Sequence, residues 1–294
     1  MTPNNYDILD TEIRIIGDSI PAPQKPKRRT WLIATIIIGL IASIIVLCLI
    51  IIKHSKNRNE VGIFEQTPVH NTNPHPLRAW ITSLDSISTI GVVTKDTIVN
   101  DIPLRLYVPL NCSPRLEIGY TCIDDTSKNI LVFQAADIRA DNLEIVGALV
   151  LLGEPLSWGL SKKGYCGIIE DQVTIGVADN SPLFELATEK AGYFFRQYPL
   201  VSNGYLVENE LKSKSMRRGL CEIDGKIVVV ASQTKESLHD FAQALVDIGT
   251  SQAIYLVGSA AMGWYRDTQG VGYALGNWEP REFENISFIV WSKP

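Results

Sequence analysis

Residues 237–262 read SLHDFAQALVDIGTSQAIYLVGSAAM, and this stretch sets the fold class. Leu238, Phe241, Ala242, Leu245 and Ile248 recur at helical spacing and form an apolar stripe. The spacing predicts a helix over about 235–248, with Thr234 as its cap and Gly249 as a left-handed stop. A short buried strand follows at Ala253–Val257. Then Gly258-Ser259-Ala260-Ala261 marks a turn able to expose backbone N–H groups. The stripe is a packing face, not a cofactor site.

Working outward, strand signals outnumber helical ones. Alternating or continuous apolar runs predict strands at Ile102–Leu110, Arg115–Thr121, Asn129–Phe133, Ile145–Leu152 and Phe194–Val201. Tyr165–Ile169 and Gln172–Val177 form a hairpin through Glu170-Asp171. Asn203-Gly204 turns the chain into Tyr205–Val207, and Asp224-Gly225 joins Glu222–Asp224 to Lys226–Ala231. Ile286–Trp291 closes the sheet. A second helix opens at Pro182 under a Ser181 cap and ends at Gly192, and Leu77–Ile90 predicts an entry helix. Strands and helices follow no regular alternation, and no internal repeat is present. The expectation is an α+β fold of mixed, mostly antiparallel sheets with a few packed helices.

The chain has 294 residues, of which 46% are hydrophobic and 20% charged, which excludes a mainly disordered protein. The net charge of −5 conceals a split. Residues 1–58 carry eight Lys or Arg against four Asp or Glu, and the remainder carries nineteen against twenty-eight. An acidic main domain argues against nucleic acid as a partner.

Trp31–Ile52 contains 22 residues without a charge, enough to cross a ~30 Å hydrocarbon core as a helix. It starts too late and runs too long for a cleaved signal. Cys48 lies inside it, behind Leu47 where a lipoprotein signal needs a small residue. Five basic residues precede the segment (Arg14, Lys25, Lys27, Arg28, Arg29) and three follow (Lys53, Lys56, Arg58). The expected organisation is a cytoplasmic tail at 1–30, a transmembrane helix at 31–52, a linker at 53–76 and a periplasmic domain at 77–294. The protein is then a single-pass inner-membrane protein with the lipid bilayer as one partner. The tail is a solvated segment or a docking element for a further protein.

His54, His70 and His75 lack accompanying ligands at metal spacing, so no metal is expected, and nothing points to another cofactor. Cys112 and Cys122 flank a predicted turn and could bridge, whereas Cys166 and Cys221 sit in apolar strands as small buried side chains. His239 falls on the polar side of its helix, away from a cysteine partner.

Three ordered segments carry a family resemblance. They are FFRQYPLVSNGYL (194–206), RRGLCEIDGKIVVVAS (217–232) and the opening 237–262 stretch. Together the order and spacing resemble the phosphodiester glycosidase domain, found in the animal enzyme that uncovers sugar-phosphate diesters and in bacterial envelope proteins. The resemblance spans about Ile102–Trp291. Gln197, Pro199, Leu200, Val201 and Gly204 resemble one motif, with one residue fewer before Pro199. Arg217 matches the arginine of a second motif, where Gly219 and Cys221 replace its small residues. The third motif, an acid followed by glycines and hydroxyls, falls on Val257–Met262. There Val257 replaces the acid, and Ala261 and Met262 replace the hydroxyls. The family's Asn-Gly-Gly-Phe-Phe segment has no clear counterpart, its region being occupied by Val146–Gly159.

The resemblance implies hydrolysis or binding of a sugar-1-phosphate diester in an envelope glycan. Phosphate is a weakly basic leaving group, so a cation that neutralises it contributes most. Arg217 suits that role, or else Arg217 and Arg218 are a solvated pair. Gly258 and Ser259 would offer N–H groups to phosphate oxygens, and Gln197 or Asn203 would orient sugar hydroxyls. Asn203-Gly204 is also, more simply, a hairpin turn. Tyr265, in Trp264-Tyr265-Arg266-Asp267, lines a sugar pocket or packs in the core. Trp158 with Lys162 and Lys163 is a weaker candidate of the same kind. Asp137 and Asp267 are the candidate catalytic carboxylates, and Asp137 could instead pair with Arg139. The rival expectation is a degenerate relative that binds glycan or acts as a scaffold without turnover.

Overall fold

The computed structural model describes residues 76–209, 213–259, 261–277 and 285–294. The expected tail, transmembrane helix and nearly all of the linker, with its histidines, lie outside the described residues. Among the described residues no helix is long and apolar enough to cross a membrane.

Helix α1 (Pro76–Ser83) runs into a 3-10 turn (Leu84–Ser86). The predicted entry helix therefore stops early. At Gly91 the chain enters a strand that is not among those expected from the sequence. That strand, β1 (Gly91–Val99), pairs along its whole length with β2 (Ile102–Leu110). Next come β3 (Ser113–Ile118), the single turn α2 (Thr121–Asp124), β4 (Asn129–Gln134), β5 (Ala148–Leu151) and β6 (Glu154–Trp158). The chain continues through β7 (Gly164–Ile169), β8 (Gln172–Val177), α3 (Leu183–Glu189), β9 (Tyr193–Gln197), β10 (Pro199–Ser202) and β11 (Tyr205–Leu206). The last part holds β12 (Ser215–Ile223), β13 (Lys226–Glu236), α4 (Leu238–Asp247), β14 (Gln252–Leu256), β15 (Gly263–Arg266), β16 (Gly272–Leu275) and β17 (Ser287–Ser292).

The strands form three antiparallel sheets. The first has the order β1-β2-β13-β12-β14-β10-β11, the second β16-β15-β4-β17-β3 and the third β6-β5-β9-β7-β8. The α+β class read from the sequence is the observed one. The first sheet is apolar on both faces because its strands alternate two apolar sets. Cys221, Ile223, Val228 and Val230 face α1 and α4, together with Leu104 and Leu106. Leu220, Val229, Ala231 and Tyr107 face the other way, onto Phe133 of the second sheet and Phe195 and Cys166 of the third.

Helix α4 (Leu238–Asp247) begins where its apolar stripe does, three residues later than expected, and Thr234 is not its cap. Ser237 is the cap, its Oγ accepting the Asp240 N–H at 3.0 Å. Lys235 and Glu236 are instead held in β13, opposite Met216 and Ser215. Gly249, at φ 89, ends the helix as predicted.

The predicted strand at 194–201 is two strands in different sheets. The switch lies at Tyr198, whose N–H goes to the Gln197 Oε1 at 2.9 Å rather than to a neighbouring strand. Pro199 has no N–H to donate. The Cys112–Cys122 bridge that the sequence allowed does not form: all four described cysteines are free. Cys122 packs in a separate cluster with Trp264 and Phe288, away from the core that Cys112 borders. Cys166 and Cys221 are buried, as read.

Candidate active site

Five segments converge where β4, β9 and β14 end. Ala135–Asp137 leaves β4, Gln197-Tyr198 leaves β9, and the Gly258 turn follows β14. Met216–Arg218 lies in β12, and Lys162 comes from the loop between β6 and β7. Main-chain bonds fix the convergence: Val257 N–H donates to the Gln134 carbonyl at 3.2 Å, and Tyr255 N–H to the Tyr198 carbonyl at 2.8 Å.

At its centre Lys162 Nζ pairs with Asp137 Oδ2 and donates to Gln197 Oε1 at 3.0 Å. The same ammonium sits 4.6 Å from the centre of the Tyr198 ring. The Lys162 side chain is 5% exposed and that of Asp137 is 30% exposed. A sealed cation thus holds a carboxylate that still reaches solvent. Burial pulls the Lys162 ammonium below its ordinary value, against the opposing pull of Asp137. Burial, then the charges of Asp137 and Tyr255, raises the Tyr198 phenol. Lys162 adopts φ 71, an uncommon conformation for a side chain of this length.

Gln197 is fully buried. Its amide donates to the Ala135 carbonyl at 3.3 Å, and its oxygen accepts from Lys162 and Tyr198. It therefore positions the lysine rather than facing a ligand.

Arg217 and Arg218 are both buried, not a solvated pair. Arg217 donates through Nε to the Glu236 carbonyl at 2.9 Å and through Nη2 to the Ser213 carbonyl. Its guanidinium lies 5.8 Å from the Tyr255 ring centre. Arg218 points to the opposite face of β12, in register with Ala231 and Leu256. It donates to the Ala261 carbonyl at 2.9 Å and stands 5.2 Å from the Phe133 ring centre. Desolvation lowers its pKa.

The Gly258 turn lies against Met216, beside Arg217. A Cβ at Gly258 would collide with the Met216 carbonyl oxygen, so only glycine fits. The turn's N–H groups are not free: Gly258 donates to the Tyr255 hydroxyl at 3.2 Å and Ser259 to the Met216 carbonyl at 2.9 Å. The expectation of bare N–H groups at these two residues is corrected accordingly.

Three other candidates lie apart from Asp137. Asn203 sits in the β10–β11 turn, accepting from Gln252 Nε2 at 2.8 Å. Gln252 begins β14 and Gly258 follows its end, a separation of roughly 20 Å at ~3.3 Å per residue. Asp267 organises its own turn: Oδ1 accepts the Gln269 and Val271 N–H groups, each at 2.9 Å, and Oδ2 accepts the Tyr273 hydroxyl at 3.2 Å. Tyr265 is buried between Tyr107 and Tyr273, with ring centres 5.2 and 4.8 Å away. Its packing role is the observed one. Arg139 pairs with Asp141, not with Asp137.

No protein-family model matches the sequence, and no curated protein matches it. Two solved structures share the path of the chain remotely. One is the catalytic domain of zebrafish N-acetylglucosamine-1-phosphodiester alpha-N-acetylglucosaminidase, auto-inhibited by its pro-peptide. It is 12% identical over 70% of this chain and 84% of that one, with a TM-score of 0.49. The other is a hypothetical protein from Synechocystis, 12% identical over 69% of this chain and 62% of that one, also with a TM-score of 0.49. This chain thus spans less than two thirds of the Synechocystis protein. These are distant structural resemblances to a phosphodiesterase-like fold; they do not establish membership of a family.

Tyr198 and Tyr255 escaped the sequence reading, and Lys162 was noticed only beside Trp158. Tyr198 did carry a signal: it precedes a proline at the end of a strand, a place where a chain changes direction. Among the described residues no group of three or more His, Cys, Asp and Glu side chains is placed to hold a metal ion.

Proposed function

We propose that residues 77–294 form the extracytoplasmic domain of a membrane-anchored protein that hydrolyses a sugar-1-phosphate diester of an envelope glycan, with Asp137 as the catalytic carboxylate. The uncharged 31–52 segment and its basic flanks support the anchor, and the three ordered sequence segments support the substrate class. The observation that carries the reading is the open Asp137 carboxylate held on the sealed Lys162 ammonium.

In this reading water attacks the anomeric carbon and passes its proton to Asp137. The C1–O bond breaks, and the electron pair leaves with the phosphate. The products are a free sugar and a phosphate monoester. The leaving group needs little protonation, so the site contributes a positive field from Lys162 and Arg217, both fixed before the substrate arrives. The test is the full-length chain in detergent with UDP-N-acetylglucosamine, following release of free sugar. Asp137→Asn is expected to lower the rate at least about 100-fold, within the range for loss of an acid–base group. An unchanged rate refutes the assignment.

A second reading, glycan binding without turnover, is favoured by one observation. The Gly258 and Ser259 N–H groups that would meet a phosphate are already paired. It expects wild-type protein to bind the sugar phosphate and release nothing.

A further inference from the structure

Sheet three ends in an edge strand, β6, whose outer residues are unusually apolar. Trp158 is 66% exposed, and Leu160, just beyond the strand, is 67% exposed. Trp158 lines two clefts. One, of about 190 Å3, also presents Asn180, Ser181, Glu185 and Phe184. The other, of about 500 Å3, also presents Glu144, Ser157, Asn285 and Leu156. Each cleft therefore offers one carboxylate, one amide and one hydroxyl, and they share one indole.

This set has a chemical meaning. A large aromatic beside an open cleft gives a sugar ring an apolar face to pack on. Carboxylates and amides then pair with ring hydroxyls, which act as both donor and acceptor. Some capacity is already used: Asn142 donates to Glu144 Oε2 at 2.9 Å, and Asn285 donates to the Leu143 carbonyl at 3.3 Å. Arg196 reaches the first cleft, but its terminal nitrogens donate to the carbonyls of Lys162, Ala178 and Asp179 at 2.7–3.0 Å. Its Nε is sealed from solvent without a partner. A carboxylate in each cleft, with the nearby guanidinium engaged, disfavours an anionic ligand.

We infer that the β6 edge is a binding site for a neutral oligosaccharide, which lies across Trp158 with one sugar unit in each cleft. Neither cleft is lined by Asp137 or Lys162, and the inference does not depend on the hydrolytic reading. It holds the protein on glycan chains rather than cutting them.

The test is calorimetric titration of the full-length chain with neutral tetrasaccharides (chitotetraose, cellotetraose and maltotetraose) and with a tetrasaccharide of uronic acids. At least one neutral tetrasaccharide is expected to bind, and its disaccharide at least tenfold more weakly. Trp158→Ala is expected to weaken binding at least tenfold and Trp158→Phe less than about threefold. Asn180→Ala with Glu185→Ala is expected to weaken it as well. Trp158 is exposed, so an unchanged melting temperature separates lost binding from lost fold. Asp137→Asn is expected to bind the tetrasaccharide normally, which keeps this inference distinct from the hydrolytic one. Absence of binding by every neutral tetrasaccharide, equal binding by the uronic acid chain, or full binding by Trp158→Ala overturns it.

Discussion

Lys162 and Asp137 form an ion pair with one sealed partner and one open partner. Removing either side has unequal consequences. Asp137→Ala leaves a buried ammonium whose remaining oxygen partner is Gln197, and is expected to destabilise the fold by about 3 kcal/mol. Lys162→Met removes the buried charge itself and fills the same space, so it is expected to cost less. Urea unfolding of the two variants checks the order; a Lys162→Met cost equal to or above that of Asp137→Ala contradicts it.

Gly258 is fixed by contact rather than by φ. Gly258→Ala drives a methyl into the Met216 carbonyl oxygen. The expected loss is about 3 kcal/mol, at the upper end for overpacking, because the obstacle is main chain. A melting temperature equal to wild type would show that the turn moves freely off β12.

Asn203 stands at the other end of β14 and holds φ 51. Asn203→Ala is expected to cost about 1 kcal/mol from the left-handed backbone. It should leave sugar release and sugar-phosphate binding unchanged. A loss of either without unfolding would place the hairpin in the functional site after all.

The thiols make stability sensitive to alkali. Burial raises Cys112 from 9.0 to about 11 and Cys122 from 9.0 to about 12. Below pH 9 both thiols are protonated whether the chain is folded or unfolded. Above it the unfolded chain releases protons that the folded chain keeps, so stability falls with rising pH until the folded values are reached. At about 1.4 kcal/mol per pH unit, Cys122 alone accounts for up to about 4 kcal/mol between pH 9 and 12. Cys122→Ala is expected to flatten the fall in unfolding free energy measured across this range; an unaltered slope would show that Cys122 does not contribute to it.

Much of the fold was legible locally. Ile102–Leu110 and Gln172–Val177 alternate cleanly and are strands with those bounds. The Asp224-Gly225 turn has both residues at positive φ, 48 and 74, as a tight hairpin requires. Strands β6, β15 and β16 were not legible. Glu154–Trp158 shows no alternation, its polar residues Glu154 and Ser157 falling three apart, and Gly263–Arg266 is too short to stand out before its neighbours are known.

The candidate site divides the same way. Arg217, Asp137, Gln197 and the glycine turn could be named from residue type and order. Their grouping could not, because it depends on where β9 leaves one sheet for another at Tyr198. By itself the sequence determined the α+β class, the hairpin turns, the glycine stop of α4 and the uncharged 31–52 segment. All of these follow from the spacing of neighbouring residues. Only the tertiary structure placed Asp137 on Lys162, sent Asn203 and Asp267 elsewhere and used up the N–H groups of Gly258 and Ser259. Those outcomes depend on pairing between strands far apart in the chain, whose register is set by the packing of three sheets together.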